Sequence, residues 1–274
     1  MSDRFGSDSG PDSGSGSGSS PRSDPVLEAT VSDGVCRLAR PDTRFLSTGF
    51  DGGQEVADAA YNLTVPDGFD DRDLGSYVAE RLDRAGFGSG AGSGAAPALL
   101  TGVDQAHARR ARLGPVAAVA TAGISNPAAL PIADRDPNAD VGGVSLDEHR
   151  HDGTVNVIAV TTRSLASGAL ANLLAVVAEA KAATLLATTG VPGTTSDAIV
   201  VGDDPDGEHA RFSGSATPVG RAARVCVRDA VAASLRSRYA GTADSIPSDV
   251  ADADHGVVSN ERARVTPVDR DGDL

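Results

Sequence analysis

The sequence predicts a single layered domain in which helices cover a mixed β-sheet, a fold class between α/β and α+β. Two observations support this prediction. Short apolar and β-branched runs cluster in the first half of the chain, and later runs alternate with long segments of helical periodicity. Between two polar ends lie roughly 215 residues, which is a comfortable size for one domain.

Seven short runs of apolar and β-branched residues predict the strands of this sheet. They are Val35–Leu38, Arg44–Ser47, Ala60–Val65, Ala98–Gly102, Val116–Ala122, Val155–Thr162 and Ala198–Val201.

Three segments have the 3.6-residue periodicity of helices. They are Asp73–Ala85, Leu165–Ala187 and Val219–Tyr239. The Arg-rich stretch Gln105–Arg112 is also compatible with a helix that turns one face to solvent.

The two ends of the chain differ in composition from the middle. Residues 1–24 are rich in Ser, Gly and Asp and have too little apolar surface to offset chain entropy, which predicts a disordered tail. Residues 25–240 carry the apolar patterns and form the predicted domain. Residues 241–274 are acidic and weakly patterned, and we expect a second disordered tail there.

The charge composition is typical of a protein from a salt-loving organism. The 38 acidic residues comprise 31 Asp and 7 Glu, the 24 basic residues comprise 23 Arg and a single Lys, and the net charge is −14. Such a surface holds a dense hydration shell where salt screens most charge repulsion. No basic stripe with interleaved aromatic residues is present, which argues against nucleic acid as a partner.

The cysteines and the apolar stretches predict a cytoplasmic location. Cys36 and Cys226 lack the spacing of a metal site, and we expect them to be buried thiols in a reducing compartment. The first residues do not resemble a signal peptide. The longest uncharged stretch, Ser164–Ala178, is too short to span a bilayer, so we expect no membrane association.

The only lysine of the chain lies within the long central helix. Apolar side chains recur at three- and four-residue steps from Leu170 to Leu185, and Lys181 falls on that stripe. The opposite side is nearly as apolar, so we expect this helix to be buried all round. A buried Lys needs a partner, and Glu179 is about 200° away around the helix. Two interpretations remain, a structural ion pair and a role in a functional site.

Three polar turns adjoin predicted strands. Gly190–Asp197 ends in three hydroxyl groups and a carboxylate, Asp152–Asn156 places two polar side chains on one strand face, and Thr121–Pro127 ends a strand in small polar residues. Strand ends in layered sheets are common ligand sites, although the spacing of each turn alone favours an ordinary loop. His149 and His151 lack a third ligand, so we expect a solvated loop and no metal site.

Taken in order, eight segments resemble the adenosylcobinamide amidohydrolase family, over about residues 35–240. The segments are Leu46–Gly53, Asn62–Val65, Ala98–Val103, Thr121–Pro127, Gly153–Ile158, Glu179–Lys181, Gly193–Asp197 and Ser213–Gly220.

The resemblance implies hydrolysis of the amide that joins aminopropanol to the corrin ring of adenosylcobinamide. The products are adenosylcobyric acid and aminopropanol, and archaea are expected to use the reaction to salvage cobinamide for coenzyme B12. The partner is a small-molecule corrinoid whose cobalt belongs to the substrate, so no protein cofactor is expected. A homo-oligomer is compatible with the sequence.

With this activity in view, the polar residues divide into two groups. The candidate catalytic residues, for nucleophile, base or oxyanion stabilisation, are Lys181, Glu179, Thr194, Ser196 and Asp197. The candidate substrate-binding residues are Asn62, Ser125, Asn126, Thr154 and Asn156. Two alternatives remain open: a corrinoid-binding protein without catalysis, and an amidohydrolase or transferase for another small molecule.

Overall fold

The main feature of the fold is a mixed sheet with helices on its faces, which confirms the predicted fold class. The computed structural model describes residues 27–70, 73–88, 96–131, 153–241, 246–253, 255–259 and 262–267. In chain order the strands are β1 (Glu28–Ser32), β2 (Val35–Ser47), β3 (Gly53–Thr64), β4 (Ala98–Thr101), β5 (Arg109–Leu113), β6 (Val116–Ala122), β7 (Ala128–Ala129), β8 (Val155–Thr161), β9 (Arg163–Leu165), β10 (Ile199–Asp203), β11 (Glu208–Ala210) and β12 (Val257–Val258). The helices are α1 (Leu74–Arg84), α2 (Ser167–Thr189) and α3 (Pro218–Tyr239).

Within the described residues, eight strands belong to the main sheet, in the order β4-β3-β2-β10-β8-β6-β5 with β1 beside β2. The β3–β4 and β8–β10 pairs are parallel and the others are antiparallel. The sheet curls, so that β4 and β3 lie opposite β8 and β6. Buried side-chain amides connect these strands by hydrogen bonds. The Asn156 Nδ2 donates to Leu100 O at 2.8 Å, and Asn62 Nδ2 donates to Thr121 Oγ1 at 2.8 Å.

Helices α2 and α3 pack on one face of the sheet over a core of small and branched side chains. Helix α1 covers part of the outer face beside β3 and β4. Helix α2 is long and apolar enough to cross a membrane by length and composition. Half of that stretch is buried within the fold, which is typical of a core helix.

Strand β2 joins two segments that the sequence predicts as separate strands. Val35–Leu38 and Arg44–Ser47 form one strand with a bulge between Ala39 and Thr43. At the bulge Asp42 adopts a φ of 54°. Three residues, 40–42, lie opposite the single Asp58 here, and the strand continues on the other side of this irregularity.

The prediction of a helix over Gln105–Arg112 is wrong. Only Gln105–His107 form a single 3₁₀ turn, and Arg109–Leu113 form β5, which pairs with β6. The two strands are joined by a two-residue turn whose first residue, Gly114, has a φ of 49°. A tight turn of this kind places the Arg-rich strand at the edge of the sheet, where its charges reach solvent.

The C-terminal residues also differ from expectation. Part of the predicted tail packs on the domain, because Val257–Val258 pair with Ala128–Ala129 and the buried Val250 contacts the same end of the sheet. Residues 1–26 lie outside the described residues, as do 132–152 with His149 and His151, so the predictions for those segments stand as predictions.

Candidate active site

Four strand ends meet at one end of the main sheet. Strands β8 and β10 run parallel to each other and antiparallel to their outer neighbours β6 and β2. The amino ends of β8 and β10 therefore lie beside the carboxyl ends of β6 and β2. This arrangement brings together the polar turns of the sequence. We call the side chains gathered here the strand-end cluster: Ser125, Asn126, Thr154, Lys181, Thr194, Thr195, Ser196 and Asp197.

Asp197 holds the turn before β10 in place by accepting four hydrogen bonds. Its Oδ2 accepts from Lys181 Nζ and from the Thr194 N–H at 3.0 Å. Its Oδ1 accepts from the Val155 N–H at 2.8 Å and from the Thr194 hydroxyl at 2.5 Å. The side chains of Lys181 and Asp197 are 10% and 9% exposed. The expected partner of the buried Lys is therefore Asp197, and the carboxylate has its lone pairs occupied.

Gly193 is needed because the chain passes close to this ion pair. A Cβ at residue 193 would lie 2.5 Å from Asp197 Oδ2 and 3.3 Å from Lys181 Nζ. Only a residue without a side chain lets the turn close on the carboxylate at this point. The same turn is tied to the loop after β6, where the Ala128 N–H donates to Gly193 O at 2.9 Å and the Thr195 N–H donates to Asn126 O at 3.1 Å.

Ser196 lies on the solvent side of the cluster. Its hydroxyl is 3.0 Å from the Thr154 hydroxyl and 3.4 Å from Asn126 Nδ2, which also donates to Thr195 Oγ1 at 2.8 Å. Ser196 is half-buried, whereas Thr154 and Asn126 are buried. The hydroxyls of Ser196 and of the exposed Thr195 are therefore held by neighbours and still open to a ligand, whereas that of Thr194 is buried.

Two buried polar atoms of the loop after β6 have no hydrogen-bond partner. They are Asn126 Oδ1 and Ser125 Oγ. A buried polar atom without a partner costs free energy, so such atoms often mark a ligand site. Gly153 makes room for this geometry, because a Cβ there would lie 2.2 Å from Ser125 Oγ. An amide ligand carries both a donor and an acceptor and is suited to these atoms.

Comparisons with known proteins identify the family to which the chain belongs. Residues 22–243 match the family model described as adenosylcobinamide amidohydrolase. The chain belongs to this family. It is also 56% identical over 241 residues to the adenosylcobinamide amidohydrolase of Halobacterium salinarum, covering 88% of this chain and 99% of the relative. A likeness to the crystal structure of the PH0078 protein from Pyrococcus horikoshii OT3 has 11% identity, a TM-score of 0.39, and coverage of 76% and 78% of the two chains.

Family membership makes this chain an enzyme that hydrolyses an amide. The similarity to a Halobacterium protein agrees with the halophilic archaeal composition. Most segments that carry the resemblance meet at or near the strand-end cluster. Ser213–Gly220 does not, because it begins α3 at the opposite end of the sheet, where a Cβ at Gly220 would lie 2.2 Å from Gly214 O.

Asn62 and Asn156 are placed in the interior and not among the open groups of the cluster. The Asn156 Nδ2 also donates to Asn62 Oδ1 at 2.9 Å, and Asn156 Oδ1 accepts the Ala198 N–H at 3.1 Å. Both side chains are buried and hydrogen-bonded. Their observed contacts join the two halves of the curled sheet and support the first residues of β10.

Glu179 is not brought to the cluster. Its side chain is 61% exposed and pairs with Arg224 of α3 at 2.9 Å. The prediction that α2 is buried all round is wrong, because alanines such as Ala175 and Ala183 share the exposed side with Glu179. Alanine occurs both in the core and on the surface. Counting alanines as apolar therefore overestimated the burial of this face of α2.

A C-terminal segment that the sequence patterns do not predict borders the cluster. The His255 N–H donates to Ser125 O at 3.3 Å, and His255 Nε2 is buried without a partner. The family match ends at residue 243, so His255 lies outside the shared domain. The sequence gives little indication that this segment packs on the domain, since Val257–Val258 is an isolated apolar pair among acidic and polar residues. Among the described residues, no group of three His, Cys, Asp or Glu side chains has the arrangement of a metal site.

Proposed function

We propose that this enzyme hydrolyses the amide of adenosylcobinamide that joins aminopropanol to the corrin side chain. The products are adenosylcobyric acid and aminopropanol, and the reaction returns salvaged cobinamide to coenzyme B12 synthesis in the cytoplasm. Support comes from the family match and from a relative of that name whose length is almost fully covered. The cobalt is part of the substrate, and the proposed chemistry uses no protein cofactor.

The observation that carries the proposal is the partly exposed Ser196 hydroxyl together with two buried polar atoms, Asn126 Oδ1 and Ser125 Oγ, that have no partner. Amide hydrolysis needs a donor to the carbonyl oxygen, where negative charge develops, and an acceptor that orients the amide N–H. In the proposed pose, Ser196 Oγ–H donates to the carbonyl oxygen, and Asn126 Oδ1 accepts the amide N–H. Ser125 Oγ has unused hydrogen-bonding capacity beside them. These groups match the donors and acceptors of one amide.

Lys181 and Asp197 position this surface in the proposal. Asp197 fixes Thr194 and Val155 through its carboxylate, and Lys181 neutralises its charge in a buried setting. With four donors on its oxygens, Asp197 is better suited to holding the turn than to accepting a proton from the nucleophile. Glu179 has no part in this arrangement, because it lies exposed beside Arg224.

A candidate for the nucleophile is the Thr194 hydroxyl. Its hydroxyl donates to Asp197, which is itself paired with Lys181, so hydroxyl, carboxylate and ammonium form a chain. A nucleophile, a base and a group that orients the base make the same kind of chain. Thr194 is only 8% exposed, and this burial favours Ser196 as the group that meets the substrate.

Incubation with adenosylcobinamide in ¹⁸O-labelled water tests the proposed function. We expect free aminopropanol and adenosylcobyric acid with one ¹⁸O atom in the new carboxylate. Binding of adenosylcobinamide without release of aminopropanol supports a corrinoid carrier instead. Faster hydrolysis of simple amides than of adenosylcobinamide supports an amidohydrolase with another substrate. Either result overturns the proposal.

A further inference from the structure

A cleft of about 600 Å³ lies between α1 and the outer face of β3. Side chains alternate along a strand, so Glu55, Ala57, Ala59 and Tyr61 share the face that lines it. Helix α1 contributes apolar side chains to the opposite wall. The cleft is separate from the strand-end cluster, because the neighbouring Asn62 points from the other face of β3 into the interior.

Four aromatic rings line the cleft, those of Phe45, Phe50, Tyr61 and Phe87, and they differ in exposure. Phe50 is 41% exposed at one end, whereas Tyr61 is 7% exposed, and its ring centroid lies 6.1 Å from that of the half-buried Phe87. The Arg37 guanidinium lies 5.6 Å from the Phe87 ring centroid. Exposed and half-buried rings in a concave site provide flat surfaces on which a heterocyclic base stacks.

The carboxylate of Glu55 lies in this aromatic setting. Glu55 is half-buried opposite Phe45 in the β2–β3 ladder and has no hydrogen bond or ion pair among the described residues. A partly desolvated carboxylate of this kind accepts hydrogen bonds from neutral hydroxyls. Acidic side chains take the hydroxyls of a ribose in this way in dinucleotide-binding folds.

The cleft and the strand-end cluster are linked through the end of β2. Ser47 lines the cleft and pairs with Val200 of β10, three residues after Asp197. At the usual spacings within and between strands, Ser47 and Asp197 are on the order of 10 Å apart. A ligand with two groups held apart by a rigid ring is therefore able to reach both places.

We infer that the cleft binds the 5′-deoxyadenosyl group of the substrate while the scissile amide lies at the strand-end cluster. This inference rests on the proposed function, which supplies a substrate with both groups. The aromatic rings take the adenine, and Glu55 accepts hydrogen bonds from the ribose hydroxyls. The cleft is large enough for a nucleoside, and it determines the preference for the adenosylated form.

Two substitutions test the subsite: Glu55→Ala and Phe50→Leu. We expect each to raise the KM for adenosylcobinamide by about tenfold, through loss of a charged hydrogen-bond acceptor or of stacking. The KM for cobinamide with cyanide in place of the adenosyl group should stay within twofold. The matched controls are Glu80→Ala on the exposed side of α1 and Phe212→Leu at the far end of the sheet, which leave both KM values unchanged.

Binding of 5′-deoxyadenosine, measured by calorimetry, tests the subsite without hydrolysis. We expect binding to the native enzyme and at least tenfold weaker binding to Glu55→Ala. An equal increase in KM for both cobinamides would mean that the cleft holds the corrin ring, which overturns the inference. Absence of 5′-deoxyadenosine binding to the native enzyme would also overturn it. Absence of hydrolysis with both cobinamides would overturn the proposed function alone, because the binding result stands independently.

Discussion

Lys181 of α2 and Asp197 at the start of β10 form a buried ion pair between residues 16 positions apart in the sequence. The pair joins the helix that covers the sheet to the turn that carries Ser196. Because the carboxylate also binds the N–H groups of Thr194 and Val155, one side chain fixes the geometry of two neighbouring strands. The pair therefore connects packing of the helical layer to the candidate active site.

Removal of the ammonium in Lys181→Met should destabilise the protein. The buried Asp197 charge loses its counterion, and breaking a buried pair of this kind costs about 3–5 kcal/mol. Because other donors still bind Asp197, we expect the free energy of unfolding to fall by the lower value, about 3 kcal/mol. Chemical denaturation at high salt measures this change. Arg224→Met is the matched control, because it breaks only the exposed pair with Glu179 and should cost under about 1 kcal/mol.

The double variant Lys181→Met with Asp197→Asn separates the two interpretations of Lys181. We expect part of the lost stability to return, since no unpaired charge is left in the interior. The folded fraction of Lys181→Met should keep a turnover rate within about tenfold of the native enzyme. The substitution lowers the free energy of unfolding and leaves the activation barrier of the reaction nearly unchanged. Native stability with turnover reduced by orders of magnitude would assign Lys181 a direct catalytic role.

Gly193→Ala should disrupt the turn although it adds a single methyl group. The new Cβ would lie 2.5 Å from Asp197 Oδ2, so the turn must move, at a cost of about 1–3 kcal/mol. Activity should fall with stability, because Ser196 moves with the turn. Gly214→Ala is the matched control, since no atom lies within 4 Å of the position that its new methyl group would take. Equal melting temperatures for the two variants would contradict this account of Gly193.

Truncation after residue 243 should weaken the fold without abolishing activity. It removes the N–H donors of His255, Val257 and Ser259 to the loop that carries Ser125 and Asn126. Three backbone hydrogen bonds contribute about 2–4 kcal/mol in sum. The family match ends at residue 243, so the truncated protein should still hydrolyse the substrate. Unchanged stability would show that the segment does not support the loop.

Both cysteines should resist alkylation in the folded protein. Burial raises the pKa of the Cys36 thiol to about 11 and that of Cys226 to about 11, so at pH 8 both remain protonated. Because an unfolded thiol ionises near its ordinary pKa of 9.0, their contribution to stability is complete below pH 9 and is lost between pH 9 and 11. Fast labelling by iodoacetamide under native conditions at pH 8 would contradict the burial of these thiols.

The strands and helices with strong periodicity are predictable from the sequence. The predicted strand Val116–Ala122 has the bounds that the structure shows, because an unbroken apolar run between polar turns fits only a buried strand. Strand β1 escapes the sequence analysis, although Asp33-Gly34 is a strong hairpin signal and has φ values of 43° and 70°. Strand β1 carries too few apolar residues to be predicted from its own pattern, without the turn that follows it.

The site is only partly predictable for a different reason. A single lysine on an apolar helix indicates that a partner exists, but the partner Asp197 follows only from the parallel β8–β10 pairing. The candidates Asn62 and Asn156 are amides in strands, and the pattern alone does not separate an interior hydrogen bond from a ligand contact. The exposed position of Glu179 was not foreseeable, because helix periodicity does not reveal which apolar side faces solvent.

Release of aminopropanol from adenosylcobinamide by Ser196→Ala shows whether the Ser196 hydroxyl takes part in the reaction, because Ser196 is partly exposed within the strand-end cluster. Loss of one donor to the developing oxyanion lowers kcat by about 10²–10³-fold. Ser196→Ala should show that loss with a native melting temperature, while Ser215→Ala, an exposed serine far from the cluster, stays fully active. Native turnover by Ser196→Ala would contradict the account.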